Sequence, residues 1–215
     1  CIRAGLSTTI FRPYAHKDDA FTASLLKLTN SNTSVDNVIG VSDLEVEDNK
    51  ETVRGDIVAS YNELLNKTQA QACVIITSDY TPVYDPDIFA FDAQVSADLA
   101  SPIFLVVSSK NRTSKQVLKT IDAQNARIVK ESSKVIGIFV TDCNEKIGSE
   151  IIRDYTSQNC SNIEGKVSHI SKTTLWVLPE IDSNNIEQTI KTFEESVKEE
   201  DVLNALHQTF KRAIT

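Results

Sequence analysis

The chain has 215 residues, of which 40% are hydrophobic and 24% charged, and it carries a net charge of −8. That is ordinary globular usage at a length that buries a substantial core, as one large or two small domains. An acidic chain with scattered Lys and Arg repels phosphate backbones, so nucleic acid is disfavoured and not expected as a partner. No apolar run approaches the ~20 residues of a membrane-spanning helix, and no signal peptide is visible.

Four cysteines, Cys1, Cys73, Cys143 and Cys160, lie far apart without a C-x-x-C pair. Structural zinc sites need close ligand pairs, so a metal cluster is not expected. Cys73, inside "CVIIT", reads as a small buried hydrophobe. Separated, unpaired cysteines fit a reducing, cytoplasmic setting. The chain begins with Cys and has no Met. It is therefore expected to be a fragment, with modified methionines dropped from its written sequence, which a mass spectrum tests.

In chain order, "IRAG" reads as the last turn of a helix closed by Gly5, so something is expected to precede it. "STTIF" is the first strand, stopped by Pro13. Residues 18–28 form a short helix capped by Asp18 or Asp19, with Phe21, Leu25 and Leu28 on one face. Residues 29–50 are polar and irregular, broken by "VIGVS". Val53, Ile57, Tyr61, Leu64 and Leu65 recur at helical spacing over residues 53–67.

"CVIIT" is a continuously apolar strand, followed by a loop with Pro82 and Pro86. Residues 92–99 are helical. "PIFLVVSS" is the next buried strand, and residues 112–131 a long helix with Val117, Ile121 and Ile128 inward. "VIGIFVT" at residues 135–141 is a strand, residues 147–158 a helix, and "TTLWVLP" the last strand. Its Trp176 reads as core or interface. Helices over residues 183–197 and 201–214 complete the chain. Continuously apolar strands alternating with helices predict a parallel β-sheet flanked by helices on both faces, an α/β fold.

The motifs of phosphate chemistry are missing. Neither G-x-x-x-x-G-K-[ST] nor G-x-G-x-x-G occurs, and glycines number six. A phosphate loop needs glycine so that backbone can approach the anion, so such a loop is expected only upstream of Cys1. The histidines His16, His169 and His207 lie in no nucleophile motif, and a Ser-His-Asp reading is rejected. His16 sits at a strand edge, as a ligand contact or a solvated loop residue, and His207 reads as a surface residue. Asp79, in "TSDYTP", follows a strand and can hold Mg²⁺ or serve a turn. The acidic run at residues 194–201 reads as a solvated helix face.

Several segments resemble one family in order. "AGLSTTIFRPYA" resembles the helix end and second strand of dethiobiotin-synthetase-like P-loop domains, which carry F-K-P. "GDIVASYNELLNKTQAQACVIITSDYTP" resembles their helix and strand ending in V-E-G. "FAFDAQVSADLASPIFLVVSS" is similar to F-x-x-N-x-x-I-A-x-x-L-x-A-P-V-L-L-V, "VIGIFVTDCN" to I-T-G-V-I-V-N-K-x-N, and "LWVLPE" to P-V-L-G-x-I-P. With "IVASYNEL" and "VLKTIDAQNARI", residues 2–180 look closest to the N-terminal domain of long-form bacterial phosphate acetyltransferases.

The resemblance implies a P-loop-NTPase-like, dethiobiotin-synthetase-like domain at residues 1–180, followed by C-terminal helices at residues 181–215. It implies a non-catalytic, structural or regulatory segment. Acetyl transfer between acetyl-CoA and phosphate would belong to a separate C-terminal domain. Cytoplasmic location, homo-oligomerisation through the parent enzyme and a small-metabolite effector follow as expectations, with no cofactor. The alternative is an ATP-dependent dethiobiotin-synthetase-like enzyme with its phosphate loop upstream.

Departures fall at the nucleotide-site positions. Arg12 stands for the Lys of F-K-P, which keeps charge but changes geometry. Ser78 and Asp79 stand for the Glu-Gly of V-E-G. Thr141 and Asp142 stand for the base-contacting Asn-Lys. Thr cannot pair bidentately with a base edge, and Asp inverts the charge. The site is therefore expected to be degenerate, without catalytic or metal-binding residues.

Overall fold

The computed structural model describes residues 5–16, 19–29, 33–77, 87–161, 173–180 and 185–213, without the side chains of residues 28, 158–161, 186 and 207–213. They fall in two compact units, Cys1–Leu99 and Ala100–Thr215. The class is α/β, with two three-stranded, wholly parallel sheets flanked by helices. The sequence led us to expect one sheet.

The first unit runs β1 (Thr8–Ala15), α1 (Ala20–Leu28), a 3₁₀ turn (Val35–Asn37), β2 (Ile39–Ser42), α2 (Asp43–Asp48), α3 (Lys50–Thr68), β3 (Ala72–Ile75) and α4 (Ile88–Asp98), with strand order β2-β1-β3. The central strand continues through Pro13, where a stop was expected. Phe11 carbonyl accepts from Ile76 N–H on the β3 side, and Arg12 N–H donates to Val38 carbonyl on the β2 side. The next residue, Pro13, turns back toward β3 after that ladder has ended at Phe11↔Ile75. Its missing N–H therefore breaks no bond. Gly40 lets β2 come close, because a Cβ there would lie 2.5 Å from Pro13 carbonyl oxygen.

The core holds Ile10, Phe11, Val38, Val53, Ile57, Leu64, Phe91 and Val95. The periodic positions Val53, Ile57 and Leu64 of α3 are all buried, and Tyr61 meets Phe11 edge-on at 5.2 Å. The stretch read as irregular contains β2 and α2. A capping box forms α2's start, with Ser42 Oγ accepting from Glu45 N–H and Glu45 accepting from Ser42 N–H. That S-x-x-E was a readable signal.

The second unit runs β4 (Ile103–Ser108), α5 (Ser114–Lys130), β5 (Val135–Cys143), α6 (Glu145–Ser161), β6 (Thr174–Pro179), α7 (Ile186–Ser196) and α8 (Glu199–Ala213), with order β4-β5-β6. Register places Val106, Phe139 and Trp176 side by side on one face. There Phe139 stacks on Trp176 at 4.8 Å and meets Phe193 of α7 at 5.7 Å. Val197, Val202 and Ala205 complete that layer. Leu105, Val107, Ile138 and Val140 face the other way, toward the layer of α5 and α6. Trp176 is core, as expected.

The apolar strands β3 and β4 were expected to be buried. Each is the outer strand of its sheet, and Val74 and Val106 are exposed. Cys73 is correspondingly half-buried. No described helix is long and apolar enough to cross a membrane.

Candidate functional site

The polar side chains gather at the C-terminal ends of the strands, one cluster in each unit. Parallel sheets present their ligands there, because βα loops and helix N-termini converge at that end.

In the first unit, Arg12 and Tyr14 lie two residues apart on β1 and so share one face of the strand. The Tyr14 hydroxyl donates to Asp92 Oδ1 of α4 at 2.8 Å. Phe91, beside Asp92, meets the Tyr14 ring edge-on at 5.7 Å. Burial pushes the Asp92 carboxyl up to about 7, against hydrogen bonds from Tyr14 and Thr77 and the charge of Arg12. Such a value suits a group that changes protonation near neutral pH.

Asp19 is the N-cap of α1. It accepts from Phe21 N–H at 3.3 Å, Thr22 N–H at 3.1 Å and the Thr22 hydroxyl at 2.5 Å. Burial works to raise its carboxyl, but the Thr22 bonds, the Arg12 charge and the Phe21 amide together hold it below the usual value. Arg12 Nη2 stands 3.7 Å from Asp19 Oδ2, and the guanidinium lies 5.4 Å from the Phe21 ring centroid.

In the second unit, Asp142 ends the long apolar run of β5 with φ +60°, the left-handed region. Asp tolerates that conformation better than most residues, at a cost of roughly 1–2 kcal/mol. Its Oδ2 accepts from Ser108 Oγ at 2.5 Å and from Thr141 Oγ1 at 3.0 Å. Ser108 Oγ in turn accepts from Lys110 N–H at 3.2 Å. Arg112 does not reach out from this end: it donates to the Ser108 carbonyl at 3.1 Å and to α5 at Gln116 and Thr120. Beneath, Ser109 donates to the buried Cys143 sulfur at 3.2 Å. Burial raises the Cys143 thiol, with Asp142 adding to this and Ser109 opposing it. A protonated, covered thiol is a poor nucleophile. Asn144 caps α6 by accepting from Ile147 N–H at 2.9 Å.

Of the sequence-predicted positions, Arg12 is 6% exposed, and Thr141 and Asp142 lie together at the tip of β5. Ser78 and Asp79 lie outside the described residues, as do His169 and the His207 side chain. His16 is exposed at the end of β1. Among the described residues no group of three or more His, Cys, Asp and Glu is placed to hold a metal.

Sequence reasoning missed Asp92, Tyr14 and Ser108. Asp92 did leave a signal. It is the lone acid in "IFAFDAQV", between the buried residues Phe91 and Ala93. The β5 cluster sets a carboxylate at the strand tip where a cation would meet a phosphate, while the β1 cluster gathers one guanidinium and two carboxyls. No protein-family model matches the chain.

Proposed function

We propose that this chain is a non-catalytic, structural or regulatory α/β segment of the kind found at the N-terminus of long-form bacterial phosphate acetyltransferases. On this reading it keeps a P-loop-NTPase-like, dethiobiotin-synthetase-like arrangement without the nucleotide chemistry. Acetyl transfer between acetyl-CoA and phosphate belongs to another part of the parent enzyme, which also assembles it into a cytoplasmic homo-oligomer.

The tip of β5 carries the proposal. Where similar domains place Asn-Lys against a base, Asp142 presents a carboxylate already engaged by Ser108 and Thr141. Freeing it would break two hydrogen bonds to an ionised group, each worth about 1.5–3 kcal/mol, and would still leave the wrong charge facing a nucleotide.

Calorimetric titration with ATP and Mg²⁺ tests this. The expected result is no binding tighter than roughly millimolar, about −4 kcal/mol. Micromolar binding overturns the reading and favours an ATP-dependent enzyme of the dethiobiotin-synthetase type.

A further inference from the structure

Arg12 is a buried charge of the first unit with little compensation among the described residues. Its side chain is 8% exposed, and a guanidinium keeps its charge at any physiological pH. A buried cation is normally paired and hydrogen-bonded. Here the nearest carboxylate stands at 3.7 Å, too far for a hydrogen bond. That carboxylate is also committed to capping α1 through Phe21 and Thr22. Nε, fully buried, has no hydrogen-bond partner. Among the described residues, the guanidinium also faces the ring of Phe21 and acts on the Asp92 carboxyl.

We propose that Arg12 anchors a binding site for a small oxyanion, tetrahedral or carboxylate, completed by Tyr14 and Asp92. The assignment rests on the regulatory reading above and names the chemical class of its effector. The planar fork of a guanidinium matches two oxygens of a carboxylate or phosphate, and desolvation strengthens that pairing. A metal cation would be repelled by the same group. The cluster lies at the C-terminal end of β1, the ligand-facing end of a parallel sheet.

Asp92 makes the site proton-linked. As a carboxylate it would repel an entering anion. As a neutral acid it donates a hydrogen bond to one, so binding takes up one proton. Among the described residues, the groups facing Asp92 are Tyr14 and Arg12 from β1 and Thr77 beyond β3. On α3, Arg54 engages Asp98 and Gln94 of the same helix α4 instead. The carboxyl's position near neutrality, set by burial, places the proton uptake within reach of pH 6–8.

Sulfate and acetate are the probes, because neither changes charge between pH 6 and 8. The full chain is titrated with each by calorimetry at both pH values, with ionic strength held by sodium chloride. Saturable binding is expected, about tenfold tighter at pH 6 than at pH 8. Stronger sulfate binding assigns a tetrahedral ligand, and stronger acetate binding a carboxylate. Arg12→Gln should abolish binding. Asp92→Asn, which keeps an N–H donor at that place, should bind equally at both pH values. The Arg12 Nε–H resonance of the unmodified protein should shift along the same isotherm, which keeps the test valid if Arg12→Gln does not fold.

No saturation by tens of millimolar, binding unaltered in Arg12→Gln, a static Nε–H resonance or a flat pH response each overturns the proposal. If sulfate and acetate fail while ATP also fails to bind, the inference falls and the non-catalytic reading stands. Micromolar ATP binding removes the reading itself.

Discussion

Replacing Asp92 by Asn isolates the energetic effect of one buried carboxyl. The side chain lies between Tyr14, Thr77 and the field of Arg12, and burial lifts it from an ordinary 3.8 to about 7. The folded state therefore holds a proton that the unfolded chain releases across this interval. Stability must fall as pH rises from about 4 to about 7, because the native state binds more protons there. About three pH units at 1.36 kcal/mol each set a ceiling near 4 kcal/mol, and structural relaxation brings the expectation to roughly 2–4 kcal/mol. Asn keeps an oxygen for Tyr14 and Thr77 and cannot ionise. Asp92→Asn should thus match the unaltered protein near pH 4 and exceed it by roughly 2–4 kcal/mol at pH 8. Urea titrations at half-unit pH steps, read through amide exchange in β1 and α4, follow the first unit alone. A stability difference that stays flat from pH 4 to 8, or that reverses sign, refutes the reasoning.

Two further outcomes concern packing and reactivity. In Gly137→Ala the new Cβ would lie 2.6 Å from both the Phe104 and the Trp176 ring. Overpacking against two rings, less the entropy gained by removing glycine, should cost about 1–2 kcal/mol. A melt followed through the fluorescence of Trp176 reads this, and an unchanged or higher midpoint counts against it. Burial lifts Cys73 to about 12 and also raises Cys143. At pH 8 both should resist an aromatic disulfide reagent in the folded protein and react in urea, with labelled peptides located by mass. Labelling of either within minutes in native buffer contradicts the description.

The strands show where local sequence suffices. The run from Val135 onward is the central strand of its sheet, and it is apolar on both sides because helices cover both of its faces. Val117, Ile121 and Ile128 needed only their helical spacing to be placed inward. The continuation of β1 through Pro13 was not legible, because it depends on which neighbour each backbone group faces. The β1 cluster was hidden for a similar reason. Tyr14 and Asp92 are 78 residues apart, and no periodicity within α4 announces that pairing. The residues at 92–99 read as a helix starting at Asp92, whereas α4 begins at Ile88 and carries Asp92 in its second turn. The charge of Arg12 is legible in the sequence, but its place beside Phe21 and Asp19 depends on contacts across the chain that no local pattern states.

The wholly parallel ladders bear on how the chain reaches this state. A parallel pair cannot be closed by a two-residue turn. The nearest partners in sequence are Arg12 and Ile39, while the same central strand must wait for Ala72 to meet Thr8. In the second unit Ile103 meets Val135, and Gly137 meets Thr174. Each ladder thus begins by closing a long loop before any hydrogen bond offsets the lost entropy. Helices such as α3 and α5, stabilised by their own caps, can form on the fast local timescale. The sheets set the pace, and while they wait the apolar strands that become β3 and β4 stand open to other chains.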